Sequence, residues 1–153
     1  MNIDFEKLWD VIESHYSLGG HSIHGPRHWR RVEENGLHLA SETEGADITV
    51  IRLFAVFHDS CRENEGHDPM HGQRGAALAR NFHGSLFETN QDQLELLCLA
   101  CSTHHQGAMS DDPTIGCCYD ADRLDLIRVR IEPDPQFMNT KRGREMAAKG
   151  IQL

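Results

Sequence analysis

The sequence lacks any long hydrophobic run. No stretch approaches the roughly 20 apolar residues of a membrane-spanning helix, and no apolar segment of signal-peptide type stands near the N-terminus. We therefore expect a cytoplasmic protein with no membrane partner.

Positive charge is also scarce. The chain carries 15 Lys and Arg against 24 Asp and Glu, for a formal net charge of −9. This balance argues against an extended nucleic-acid surface, although a local basic cluster at Arg27, Arg30 and Arg31 could still hold a phosphate. The sequence does not indicate an oligomeric state.

Strand-like alternation and internal repeats are missing as well, so we predict an all-α fold. A length of 153 residues fits one domain, residues 1–153, built as a compact bundle of about six to seven helices. Hydrophobic periodicity and end signals predict helices over about 3–17, 26–43, 47–59, 69–84, 90–104, 119–128 and 140–149. The helix over 90–104 is apolar on nearly every side, so we expect it to run through the middle.

The cysteines do not form a convincing zinc pattern. Cys98 and Cys101 have the two-residue spacer of such sites, but Cys117 and Cys118 are adjacent. Cys98 and Cys101 share a helical stripe with leucines, which favours reduced cysteines in the core; metal or redox chemistry is the alternative.

Two His-Asp dipeptides occur, and their contexts differ. His67-Asp68 precedes Pro69, which suits Asp68 as an N-cap. His58-Asp59 instead follows an apolar helix, where a cap has no use, and a buried imidazole beside a buried carboxylate is costly unless both are bonded. This placement predicts a site at His58-Asp59.

Other segments supply further candidate ligands at helix ends or inward faces. His28 lies on an apolar stripe, and His71 lies in a first turn, where the helix dipole favours neutral imidazole. His104 and His105 end a helix, and Asp122 lies on a short helix for which Asp120 suits the N-cap. Singly, each has a simpler explanation, such as a core histidine or a dipole-compensating cap. Their joint occurrence in one small domain points to a shared site.

Nitrogen and carboxylate ligands without thiolate suit divalent metal ions such as Mn, Fe, Mg, Ni or Zn. They allow two metals close together, with Asp59 as the bridge, and such a pair generates a hydroxide nucleophile at neutral pH. A phosphate ester also needs fixed cations, and Arg27, Arg62 and Arg123 are the candidates.

These residues resemble the HD-domain superfamily of metal-dependent phosphohydrolases. The resemblance covers about residues 24–128, leaving 129–153 as a C-terminal extension. It depends on His28 in His-Trp-Arg-Arg-Val, on His58-Asp59, and on Asp122 in Asp-Ala-Asp-Arg-Leu-Asp, which match the family's core ligands. The resemblance further implies that His71, His104 and His105 are the added histidines of the two-metal branch, typified by HD-GYP phosphodiesterases. Arg62 stands where that branch usually has lysine, and the Gly-Tyr-Pro signature is absent.

The resemblance implies a phosphohydrolase that attacks a phosphate monoester or diester, such as a nucleotide, with metal-bound hydroxide. In this reading, the predicted metal ligands are His28, His58, Asp59, His71, His104, His105 and Asp122. Asp59 and Arg62 are the predicted catalytic residues, and His24, Arg27, Arg62 and Arg123 are the predicted substrate contacts. Two alternatives are an HD-type diiron oxygenase acting on a small organic substrate and a metal-sensing or ligand-sensing module without turnover.

Overall fold

Seven α-helices account for most of the chain in a computed structural model, which describes residues 2–153. They are α1 (Phe5–His15), α2 (Pro26–Ser41), α3 (Ile48–Phe57), α4 (His71–Phe82), α5 (Gln91–Thr103), α6 (Pro113–Leu124) and α7 (Lys141–Lys149). Short 3-10 segments cover His104–Gln106, Asp125–Val129 and Pro135–Phe137. The prediction of an all-α bundle is confirmed. None of the helices described is both long enough and apolar enough to cross a membrane.

Helix α3 is the centre of the bundle. Asp47 caps its N-terminus by accepting a hydrogen bond from the Val50 amide at 3.1 Å. Nearly every following side chain is buried, including Phe54 and Phe57 at 0% exposure. Each such aromatic stabilises the fold by roughly 1.5–3 kcal/mol through burial. The helix therefore delivers the residues at its C-terminal end into a closed interior.

Helix α5 does not run through the middle as predicted. Leu99 is 51% exposed, so one side of this helix faces solvent. The side that is buried includes Cys98 and Cys101, which are free thiols in the core, as the sequence predicts. Periodicity overestimated the burial because leucine also occurs on exposed helix faces.

Helix α4 packs closely against α5 and α3 because of one glycine at each contact. A β-carbon at Gly72 would collide with the Cys101 carbonyl of α5, and one at Gly75 would collide with the Phe57 carbonyl of α3. The backbones can approach because no side chain stands between them at these two positions. As a result the first residue of α4 lies against the ends of α3 and α5.

Two predicted helix starts are wrong. Helix α6 begins at Pro113, capped by Asp112, whose carboxylate accepts from the Thr114 and Ile115 amides at 2.9 Å. Asp120 is therefore an interior residue and not an N-cap. Helix α4 begins at His71, and Asp68 does not cap it; its carboxylate pairs with Arg74. In both cases a side chain with stronger partners elsewhere overrode local cap preference.

Asp120 instead anchors the C-terminal segment. Its Oδ1 accepts from the backbone and side-chain nitrogens of Asn139 at 2.7 and 2.9 Å. Its Oδ2 accepts from the backbone nitrogen and hydroxyl of Thr140 at 2.8 and 2.7 Å. Thr140 in turn caps α7. One buried carboxylate thus ties α7 to α6.

Candidate metal centre

The predicted ligands come from five separate segments and meet at one place. His28 is on α2, His58 and Asp59 follow α3, His71 opens α4, His104 and His105 follow α5, and Asp122 is on α6. Two groups have ligand atoms close enough to share a metal ion: His28, His58, Asp59 and Asp122 in the first, and His71, His104 and His105 in the second. We call them site 1 and site 2.

Backbone carbonyls fix the orientation of three imidazoles. The Nδ1 atom of His58 lies 3.0 Å from the Ala55 carbonyl, that of His71 lies 2.6 Å from the Asp68 carbonyl, and that of His104 lies 2.7 Å from the Cys101 carbonyl. A carbonyl can only accept, so each Nδ1 must carry the hydrogen. In the neutral ring the lone pair is therefore on Nε2, and it points into the centre.

These Nε2 atoms face one another in pairs. His28 and His58 are 3.1 Å apart across site 1, and His71 and His104 are 3.1 Å apart across site 2. Two facing lone pairs repel unless a proton or a metal ion lies between them. Two nitrogens that bind one ion at about 2.0–2.1 Å with near-tetrahedral or octahedral angles would lie about 3 Å apart. The spacing therefore fits a metal ion.

Asp59 lies between the two pairs. Its Oδ1 is 3.1 Å from His71 Nε2 and 3.3 Å from His104 Nε2. Its Oδ2 is 3.3 Å from His28 Nε2 and 3.5 Å from His58 Nε2. One carboxylate oxygen thus serves each site, the arrangement expected of a bridging ligand.

Asp122 is the remaining member of site 1, and His105 is the remaining member of site 2. The Oδ1 of Asp122 is 3.1 Å from His28 Nε2. The Nδ1 of His105 is buried and finds no hydrogen-bond partner within residues 2–153. Burial, together with nearby His104 and His71, lowers the pKa of His105, which keeps the ring neutral. A buried lone pair without a donor is an observation that a metal at site 2 would explain.

The carboxylates make the centre strongly negative. Burial alone would raise the pKa of Asp59, but His58, His104, His24 and His28 hold it well below its usual range. The same balance of burial against His28 and His58 holds the pKa of Asp122 well below its usual range. Burial disfavours a charged His28, yet Asp122, Asp125 and Asp59 raise its pKa to about 10. The centre therefore demands positive charge, as a proton or as metal ions.

A cavity of about 260 Å³ opens above Asp59. Its walls include several predicted site residues and bring three guanidinium groups to one opening. The residues that line the cavity are His24, Asp59, Arg62, His71, His104, His105, Gly107, Asp122, Arg123, Leu126 and Arg128. His28 and His58 lie beneath this surface, at 1% and 0% exposure.

Arg27 does not take part. It is exposed and does not line the cavity, so the structure does not bring it together with the other predicted substrate contacts. The prediction used its adjacency to His28, but neighbours on a helix diverge by about 100°, and only one of them can point inward.

Sequence reasoning missed Asp125 and Arg128. Asp125 is 2.6 Å from His28 Nδ1, and Arg128 lies 3.3 Å from His24 Nδ1. A signal for Asp125 was available, since it stands three residues after Asp122 and such residues share a helix face.

Comparison with models of protein families identifies the family of this chain. The HD domain model matches residues 27–127, about two thirds of the chain. The chain belongs to the HD-domain family. Its fold is also similar to that of a predicted HD superfamily hydrolase from an uncultured Thermotogales bacterium, with a TM-score of 0.74 and 24% identity over 96% of this chain and 84% of that one. No curated protein matches the sequence.

Membership of the HD-domain family confirms the resemblance drawn from the sequence. It also agrees with two groups of side chains that could hold metal ions. The number and identity of those ions, and the roles of the individual residues, stay predictions.

Proposed function

We propose that this HD-domain protein is a metal-dependent phosphohydrolase acting on phosphate monoesters or diesters, nucleotides included. The observation that carries the proposal is Asp59, which offers one oxygen to each of two facing histidine pairs beneath a cavity walled by arginines. The description of the structural neighbour as a predicted hydrolase supports the same reaction class.

The residues of both sites fit divalent ions. Their oriented Nε2 lone pairs, carboxylates and absence of thiolate suit Mn, Fe, Mg, Ni or Zn. A pair of ions held there would supply an activated water at neutral pH and neutralise phosphoryl oxygens. Asp59 and the imidazoles fix where that chemistry takes place.

The position of Arg62 in the cavity wall supports the proposal that it holds the phosphate. Its Nη1 donates to the Gly66 carbonyl at 2.8 Å, which fixes the guanidinium at the cavity wall. Its Nε is buried and has no acceptor among the residues that the structure describes. A buried donor without an acceptor costs about 1–3 kcal/mol. A phosphate oxygen at this edge would remove that cost.

Arg123 and Arg128 are held rigid beside it. Arg123 donates to the Phe137 carbonyl at 2.7 Å, and Arg128 donates to the Ile23 carbonyl at 2.8 Å and the Asp125 carbonyl at 2.9 Å. Neutral carbonyls orient Arg123 and accept the shortest hydrogen bonds of Arg128, whose Nη1 also lies 3.9 Å from Asp125 Oδ2. Preorganised cations of this kind stabilise charge that develops on a phosphoryl group.

His24 occupies the remaining wall near Asp59. Its Nε2 lies 3.1 Å from the Glu65 carbonyl and must donate to it, which leaves Nδ1 to accept from Arg128. Nδ1 is also 3.7 Å from Asp59 Oδ2. We assign His24 to substrate contact.

The test is hydrolysis of a panel of phosphomonoesters, phosphodiesters and nucleotides with each of the five metals. Asp59→Ala should lose metal content and at least about 10³-fold in turnover, since both sites lose a ligand. Arg62→Ala should lose roughly 10²-fold in kcat/KM with metal content retained. Arg27→Ala, an exposed arginine outside the cavity, is the matched control and should behave as wild type.

Three results would contradict the proposal. One is an Asp59→Ala variant that still hydrolyses the panel. Another is bound iron with oxygen consumption and no hydrolysis, which identifies an oxygenase. The last is tight metal binding without turnover on any substrate, which identifies a sensing module.

A further inference from the structure

One of the histidines in the metal centre is oriented differently from the others. His58, His71 and His104 direct Nδ1 to neutral backbone carbonyls. His28 instead directs Nδ1 to the Oδ2 atom of Asp125 at 2.6 Å. A carboxylate behind an imidazole has a stronger effect than a carbonyl, because its charge makes the opposite nitrogen more basic.

Asp125 is itself held in place. It is 4% exposed and is the residue at which α6 ends. Its Oδ1 accepts from the Nε of Arg31 at 2.7 Å, so the two oxygens have separate partners. Arg31 lies on α2, three residues after His28, and its side chain is 45% exposed. The result is a continuous chain from a surface arginine to a buried ligand.

The two carboxylates of this helix end contact opposite edges of one ring. Asp122 faces Nε2 of His28 at 3.1 Å, and Asp125 faces Nδ1 at 2.6 Å. Only the Nε2 side is shared with His58 and Asp59. Asp125 therefore does not compete for the metal position and acts on it only through the ring.

We propose that Asp125, held by Arg31, is a positioning residue for site 1. It fixes His28 as the Nδ1–H tautomer and strengthens the Nε2 lone pair, so that site 1 binds a divalent ion more tightly. This inference rests on the metal centre of the proposed function. It does not depend on which reaction the centre performs.

The experiment is a metal titration of the full chain against a competing chelator, with Mn²⁺ and then Zn²⁺ as probes. In Asp125→Asn we expect one of two bound equivalents to lose about 10–100-fold in affinity, with a smaller loss for the other. Arg31→Gln should move the same equivalent in the same direction by a smaller factor. This second variant keeps the test valid if Asp125→Asn fails to fold.

The matched control is Asp120→Asn. It makes the same chemical change on the same helix, but Asp120 contacts Asn139 and Thr140 and no histidine of the centre. It should lower the melting temperature and leave both metal affinities unchanged. If Asp125→Asn behaves like this control, losing stability while binding metal as wild type does, the positioning role is overturned.

The outcome is separable from that of the proposed function. Two metal equivalents with the expected loss in Asp125→Asn uphold the positioning role even if no phosphoester is hydrolysed. A wild-type protein that binds no divalent metal would overturn both.

Discussion

Asp120 and Asp122 stand two residues apart on α6 and have opposite surroundings. Asp120 is 0% exposed and accepts four hydrogen bonds from Asn139 and Thr140. Asp122 is also largely buried, yet its Oδ1 faces the Nε2 atoms of His28 and His58 at 3.1 and 3.6 Å. The first carboxylate is satisfied by the fold alone. The second is satisfied only when a cation is present.

The difference separates a structural acid from a functional one. Neutral donors that the fold supplies permanently make Asp120 part of the scaffold. Asp122 and Asp59 instead face imidazole nitrogens, which are themselves candidate metal ligands. Burial by itself does not distinguish the two cases. The identity of the partners does.

The sharpest way to break this comparison is Asp122→Asn. We expect turnover to fall by about 10²–10³-fold, because site 1 loses a charged ligand. The metal-free protein should also lose thermal stability near neutral pH, because Asp122 helps to raise the pKa of His28 and removing one member of a buried pair is destabilising. Activity assays with thermal melts in excess chelator measure both. A folded variant that keeps wild-type turnover and metal content would place Asp122 in the scaffold with Asp120.

The reciprocal change is Asp120→Ala. We expect the free energy of unfolding to fall by roughly 2–4 kcal/mol, because buried donors of Asn139 and Thr140 lose their acceptor. Metal stoichiometry of the folded protein should stay the same. Urea denaturation followed by metal analysis checks this. Asp134→Ala, which removes an exposed carboxylate that caps a 3-10 turn, is the control and should cost much less.

A third test leaves both aspartates unchanged and introduces a steric clash with Asp120. In Gly143→Ala, the added β-carbon would collide with Oδ2 of Asp120. Overpacking of this kind costs about 1–3 kcal/mol. Gly20→Ala is the matched control, since a β-carbon there meets nothing within 4 Å. Equal stabilities for the two variants by urea denaturation would show that the Asp120 anchor is loose.

The last test concerns pH. In metal-free protein the pKa of His28 is raised from 6.5 to about 10 by its aspartates. Because the folded value exceeds the unfolded one, this group stabilises the fold fully below pH 6.5, and that contribution is lost as the pH rises toward 10. Thermal melts in chelator from pH 6.5 to 10 should show the decline. Asp122→Asn should flatten it, and an unchanged slope would contradict this assignment.

Sequence reasoning reached the ligands because they carry rare chemistry. His58 and Asp59 follow an apolar helix, and His71, His104 and His105 stand at helix ends, so burial and chemistry were visible together. The family resemblance then singled out Asp122 from its neighbours. The structure places these residues together.

What the sequence could not resolve was the partner of each polar side chain. Asp120 was predicted as a cap because its anchor residues lie about 20 positions away, and local patterns do not report such contacts. Asp125 was missed for the same reason, because its hydrogen-bond partner His28 is distant in the sequence. Arg27 was assigned to substrate contact because it is adjacent to His28 in the sequence, but adjacent residues on a helix point in different directions.

The most direct test of the account is anomalous diffraction from crystals of the protein loaded with Mn²⁺. The account predicts two metal peaks about 3.5–4 Å apart, with one oxygen of Asp59 on each. A single peak, or two peaks of which neither touches Asp59, would contradict it.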